Sequence, residues 1–394
     1  MTLQSVELIR KRVAERPAEL AEARTNGQKV VGWQGYNLPE ELIYALGLIP
    51  VRIGAGGDDR LVEIGARYIS TKNCVYVRET VGLFAENKDP IVQNTDFLAF
   101  DATCLQTYRT AEILEYYFNK EVVVLGVPRN FYWPEAQVYF TKEVEHFTGR
   151  LEELSGARLD HDKLAETIEL YNRIRGAIVE IYEYQAERER LISWEETYDI
   201  IHAGYVLDRK EYLRMLEGTL RELQEAQGRP APEEEDEARI FISGSVIPPG
   251  DKKLIHIINA VGGRIVGDDL WSGLIPYLDV HIGENTVEGV ALAYINRTPH
   301  GALPYLELET DKRIKRLKEL VKNYKAHGVI YHTLRYCDPY SFKAKETKDV
   351  LAAEGIPLLE IHTEYSGSDY EAIRTRIEAF VEMLKIRNFE TLRN

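Results

Sequence analysis

The sequence predicts an α/β protein, built as two parallel-sheet halves joined through a helical insertion. Three observations carry that expectation. Short apolar runs alternate with helical patterns over the first third of the chain, apolar residues recur at steps of three and four through the middle, and the alternation returns after a proline-containing acidic stretch. Short buried runs separated by helices mark a parallel sheet covered on both faces, because such strands have no solvent side for polar residues to alternate onto. At 394 residues, 44% hydrophobic and 29% charged, the chain is long enough for two cores of ordinary size.

The chain opens with an amphipathic charged helix, MTLQSVELIRKRVAERPAEL, which lacks the apolar core and small-residue cleavage site of a signal peptide. Strand-like runs follow at 29–33, 48–53, 97–101 and 121–126, with helical patterns at 39–46 and 110–118. Asn37 suits an N-cap, Pro39 a first turn, and Glu40 and Glu41 complement the positive end of the helix they open. These elements make a first α/β half over 1–137.

A helical segment is expected over 138–228. Leu164, Ile168, Tyr171, Ile174, Ile178, Ile181 and Tyr182 fall on one face of a long helix, and a second helical stretch, 208–227, ends at Gly228. Prolines and an acidic run make 229–238 a linker. The second α/β half, 239–394, has strand-like runs at 239–243, 264–267, 328–331 and 357–361. Helices are expected between and after them at 251–261, 311–327, 347–354 and 370–385.

The charge balance narrows the partners. Lys and Arg total 49 against 64 Asp and Glu, a net charge of -15. That argues against nucleic acid and anionic membrane surfaces, while leaving room for a small anion in a local basic pocket. No apolar run approaches a membrane span, and the expected location is cytoplasmic. The nine histidines show no ligand spacing and read as structural or surface residues. Gly54-Ala55-Gly56-Gly57 is neither a Walker loop nor a dinucleotide fingerprint and reads as a flexible loop; ATP chemistry would belong to a partner. Asp268 and Asp269 read either as a general acid/base pair or, more simply, as bonds to the neighbouring turn.

The chain has only three cysteines, Cys74, Cys104 and Cys337, too few for a disulfide framework. Cys104 and Cys337 each follow an expected strand, and Cys74 lies in the loop after 67–70, before a helical pattern. Ligands of open parallel sheets collect beyond the carboxyl ends of strands. If the two halves face each other, three thiolates converge in the cleft, and soft ligands of that kind suit zinc, copper(I) or an iron–sulfur cluster. Structural zinc normally takes four ligands in paired short-spaced elements, which are absent. The long intervals suit a cluster between halves, and three thiolates on a four-iron cluster leave one iron open. The plain alternative is that small apolar thiols fill cores.

Longer passages carry a resemblance. The segment from Trp33 to Arg52, WQGYNLPEELIYALGLIPVR, resembles the opening motif of the 2-hydroxyacyl-CoA dehydratase and benzoyl-CoA reductase family. Asp101-Ala102-Thr103-Cys104, the run from Ile242 to Gly250 with Gly262 to Asp269, and Arg335-Tyr336-Cys337-Asp338-Pro339 resemble the same family, in family order. The cysteine that relatives often carry near Asp268-Asp269 is absent here, as is the cysteine-containing proline-rich sequence around 293–304.

The resemblance implies an oxygen-sensitive protein of two Rossmann-like (flavodoxin-like) halves, paired with a related second subunit. It implies a [4Fe-4S] cluster held by Cys74, Cys104 and Cys337, an acyl-CoA substrate, and a separate ATP-hydrolysing iron–sulfur activator. The chemistry implied is radical-type reduction of an acyl-CoA or elimination of water from a 2-hydroxyacyl-CoA. Gln34, Tyr36 and Asn37 are the candidate catalytic residues, placed to bond the thioester oxygen or a hydroxyl. Two alternatives keep the cluster: a companion electron-relay subunit, and a bridged double-cluster reductase of small molecules.

Overall fold

Two separate four-stranded sheets organise the chain, and every neighbouring pair of strands is parallel. The structure is a computed structural model and describes residues 2–54, 56–130, 132–187, 190–228, 237–303 and 311–393. The first sheet comprises β1 (Val30–Gln34), β2 (Ile49–Arg52), β3 (Phe97–Asp101) and β4 (Val122–Leu125), in the order β2-β1-β3-β4. The second comprises β5 (Ala238–Gly244), β6 (Gly263–Asp268), β7 (Gly328–Leu334) and β8 (Leu358–Thr363), in the order β6-β5-β7-β8. The two orders are the same, so each half has its switch of winding direction between its first and third strands. The carboxyl ends at such a switch are where an open α/β sheet binds ligands. Both halves are therefore α/β in the Rossmann-like sense expected.

β1, β3 and β7 are buried along their whole length. Their apolar runs have no solvent face, which is why they read as continuous in the sequence. The helical insertion consists of Pro134–Ser155, His161–Ala186, Trp194–Gly204 and Arg209–Ala226. It begins a few residues before 138. Leu164, Ile168, Tyr171, Ile174, Ile178, Ile181 and Tyr182 are all buried on one face, as their spacing requires. Asp160, Ser193 and Asp208 cap three of these helices by accepting from backbone N–H groups of the first turn. The expected linker, 229–238, falls largely outside the described residues.

Two long-range features reshape the local reading. The helix Gln4–Thr25 is tied to the helical insertion: Arg10 bonds Asp199 at 2.7 Å and Arg12 bonds Glu211 at 2.6 Å. The helix after β1 is Glu40–Ala45, with Pro39 as its N-cap residue and no side-chain cap. Glu40 and Glu41 do not simply face the helix end. They are buried, pair with Arg209 and Arg175 of the insertion, and accept the hydroxyls of Tyr171 and Tyr294. The pairing satisfies charges that burial would otherwise make costly.

Of the glycine run read as a flexible loop, Gly56 and Gly57 are fastened. Glu79 accepts the N–H groups of Gly56 at 2.9 Å, Gly57 at 2.8 Å and Asp58 at 2.7 Å, and Gly56 O accepts Gly250 N from the second half at 2.6 Å. Burial pushes the Glu79 carboxyl up to about 7 despite those donors.

Candidate active site

The site is built from loops beyond the carboxyl ends of the central strands. β1 ends at Gln34, β3 leads through Asp101 into Cys104, and β7 leads into Cys337. The loop after β1 is held by Asp101, whose Oδ2 accepts Asn37 N at 2.5 Å while Oδ1 accepts Thr103 N at 3.0 Å. Burial pushes the Asp101 carboxyl up and these donors pull it back. This clamp sets the position of Tyr36, whose hydroxyl donates to Thr298 O at 2.7 Å.

Each cysteine is the N-cap residue of a helix: Cys74 of Val75–Glu86, Cys104 of Leu105–Phe118 and Cys337 of Asp338–Ser341. None of the thiols caps its own helix. Instead all three line one cavity, shared with Gln34, Tyr36, Trp271 and His300. The Cys337 loop turns through Tyr336 at φ 64, a left-handed conformation unusual for a tyrosine. Gln106 ties the loops together: its Oε1 accepts Cys74 N at 2.7 Å and its Nε2 donates to Tyr336 O at 3.1 Å.

The two thiols Cys74 and Cys337 act on each other: their proximity pulls Cys74 below its usual range and pushes Cys337 well above it, and burial adds to the rise at Cys337. Burial also pushes Cys104 up. The remaining walls are aromatic. His300 lies 5.3 Å from Tyr36, 5.8 Å from Trp271 and 5.4 Å from Tyr340, ring centre to ring centre. Burial holds His300 neutral, pulled down to about 3, and its Nδ1 accepts Ala302 N at 3.0 Å. Burial raises Tyr36 to about 12.

The donor set bears on what these residues can hold. Among the described residues no group of three or more His, Cys, Asp or Glu closes on a single metal ion. A four-iron cluster makes a different demand, because its thiolates bind different irons and stand further apart. Three thiols from three loops are the soft ligands such a cluster takes, and the carboxylate on the same cavity wall, Asp101, is engaged by Asn37 N and Thr103 N. Their places at helix N-termini put partial positive charge beside an anionic ligand set. Gln34 Oε1 is buried on the same cavity without a hydrogen-bond partner, so the protein alone leaves one polar atom there unsatisfied. The residues fit the group.

Of the residues expected to act, Cys74, Cys104, Cys337, Gln34 and Tyr36 come together at this cavity. Asn37 is not on that cavity. Its amide is turned into the loop contact, where Nδ2 donates to Thr103 Oγ1 at 2.9 Å. It does not cap the following helix either. Asp268 and Asp269 diverge. Asp268 accepts Tyr182, Trp194 Nε1, Leu270 N and Leu274 N, the simpler of its two readings, and Asp269 accepts Ser243 Oγ at 3.1 Å. Sequence reasoning does not reach Gln106, Trp271 or His300 as site residues. Gln106 has a signal in its place two residues beyond Cys104; His300 reaches the cavity only through tertiary folding.

A family model described as 2-hydroxyglutaryl-CoA dehydratase, D-component, matches residues 36–384. The chain is similar to one of the subunits of benzoyl-CoA reductase from Thauera aromatica, 25% identical over 368 residues covering 91% of this chain and 92% of that one. It is 24% identical to the beta subunit of (R)-2-hydroxyglutaryl-CoA dehydratase of Acidaminococcus fermentans over 377 residues, covering 93% and 95%. The beta subunit of (R)-phenyllactyl-CoA dehydratase of Clostridium sporogenes is 23% identical over 363 residues, covering 91% and 92%.

Proposed function

The chain belongs to the 2-hydroxyglutaryl-CoA dehydratase D-component family, and from that premise we propose that it is the [4Fe-4S] subunit of a radical-type acyl-CoA reductase or 2-hydroxyacyl-CoA dehydratase. The observation that supports this reading most is the meeting of Cys74, Cys104 and Cys337, from three separate loops, on one cavity. When bound, such a cluster supplies single electrons at low potential and a Lewis-acidic iron without a protein ligand.

The chain's own residues supply the surroundings. Trp271, Tyr36 and His300 wall the cavity and exclude water, which strengthens every electrostatic interaction inside it. Gln34 Oε1 is free to accept a hydrogen bond from a bound hydroxyl. Neutral His300, with Nδ1 engaged by Ala302 N, has its other ring nitrogen as an N–H donor. The electron would come from a separate ATP-hydrolysing iron–sulfur activator, since the sequence carries no Walker loop. Relatives are named as subunits, and a related second subunit fits the exposed Leu105 and Phe342, close in sequence to Cys104 and Cys337.

The test is a titration of benzoyl-CoA and of a 2-hydroxyacyl-CoA into anaerobically purified protein, following the EPR signal of the reduced cluster. A shift with either thioester supports the reading. A signal that neither thioester moves overturns the substrate-binding role and leaves an electron relay.

A further inference from the structure

Three guanidinium groups stand around the cysteine cavity, and among the described residues none of them is ion-paired. Arg78 is 5% exposed and lies one helical turn beyond Cys74, in the helix that Cys74 opens. Its side chain reaches back to the start of that helix, where Nε donates to Asn73 O at 3.2 Å. The guanidinium therefore sits against the peptide that carries Cys74 N. Arg297 is 3% exposed, and its Nε and Nη2 are buried without partners. It lies 3.7 Å over the ring of Tyr36, which lines the cavity. Half-buried Arg52 stands 4.6 Å from the ring of Trp271, which lines it too.

A buried cation is costly unless an anion is close. In the neighbouring core the chain supplies that anion itself, pairing Arg175 with Glu41 and Arg209 with Glu40. At the cysteines it does not, because Asp101 spends both oxygens on Asn37 N and Thr103 N. The anion left to balance these cations is the one the three thiolates would form. Three thiolates outweigh the positive core of a four-iron cluster, and reduction adds one more negative charge to the assembly. A fixed cation in a water-poor site favours the state that carries that extra charge. The field of Arg297 already reaches the cavity wall: burial raises the Tyr36 hydroxyl, and Arg297 pulls it back.

We propose that Arg78 and Arg297, backed by Arg52, are positioning residues that supply the counter-charge of the reduced cluster and so raise its reduction potential. This deepens the cluster reading above and rests on it. Arg78 acts beside Cys74 and also pins the loop that delivers it; Arg297 acts through the ring of Tyr36.

The test is an EPR-monitored redox titration of the anaerobically purified full chain, with iron and sulfide counted on the same samples. Arg78→Gln and Arg297→Gln are each expected to keep the cluster and to lower its equilibrium constant for reduction by about tenfold, which is about 59 mV toward more negative potential for one electron. Arg78→Lys and Arg297→Lys keep the charge without the planar fork and are expected to stay near the wild type. Gln variants that hold a full cluster at the wild-type potential overturn the proposal and leave the cluster reading standing. Lys variants that shift as far as the Gln ones overturn it as well, since packing rather than charge is then responsible. If the Gln variants lose their iron, retention in the Lys variants supports the counter-charge, and loss from both overturns it. A wild type without a cluster removes the cluster reading and this proposal with it.

Discussion

Gly35 packs so closely on Asp101 that a Cβ at position 35 would lie 2.5 Å from Asp101 Oδ2. The same oxygen accepts Asn37 N, so the carboxylate cannot move aside without releasing the loop that carries Tyr36. Gly35→Ala is therefore expected to cost about 1–3 kcal/mol, the usual range for overpacking a fixed site. Gly176 has nothing within 4 Å of its added Cβ and sits inside the helix His161–Ala186. There the same change is expected to stabilise by about 0.5–1 kcal/mol. Urea midpoints of the two variants measure both signs.

Asp268 is the buried anchor between the second sheet and the helical insertion. It accepts Tyr182 at 2.6 Å and Trp194 Nε1 at 2.7 Å. Tyr182→Phe removes the first of these bonds and is expected to lower stability by about 1–3 kcal/mol. Denaturant unfolding checks the loss, and unchanged metal content checks that the cysteine cavity is untouched.

Burial pushes the Asp269 carboxyl up to about 7, and the neighbouring Asp268 adds to the rise. The folded chain thus holds this proton more tightly than the unfolded chain, whose carboxyl titrates near ~3.9. Stability is fully present below the unfolded value and is lost as pH rises through about 7. Asp269→Asn removes that contribution. Between about pH 5 and about pH 6.5, inside that window, the fall in stability is expected to shrink by ~1.4 kcal/mol per pH unit. Denaturation curves across the range measure it, and Glu79, raised in the same sense, keeps part of the slope.

Gln106 joins Cys74 N to Tyr336 O across the mouth of the site. Gln106→Ala is expected to speed the loss of iron to a chelator by about tenfold, the scale on which supporting residues affect metal affinity. Global stability should fall by no more than about 1 kcal/mol. Chelation kinetics and a urea midpoint on one sample separate the two effects.

Much of the fold is legible because its causes are local. β3 lies over Phe97–Asp101 as its apolar run predicts, and the buried stripe from Leu164 to Tyr182 follows directly from period. The helix expected over 110–118 starts at Leu105. Its first turn carries polar residues and no side-chain cap, so nothing local marks its start. Glu40 and Glu41 look like helix-end charges in the sequence, while their partners Arg209 and Arg175 lie far along the chain. Such pairs leave no trace in local pattern. At the site, the cysteines are legible as the scarcest ligand type, and Gln34 and Tyr36 through a motif. Trp271, His300, Arg52 and Arg297 gain their places only when the sheets and the insertion pack together.

Iron and acid-labile sulfide counted per chain, in anaerobically purified wild type and in Cys74→Ser, Cys104→Ser and Cys337→Ser, test the central proposal most directly. The account predicts about four of each in the wild type, as a single four-iron cluster requires, and a loss of most of both in every variant while the chain stays folded. A wild type without iron, or a full complement retained after any one of the three substitutions, would contradict it.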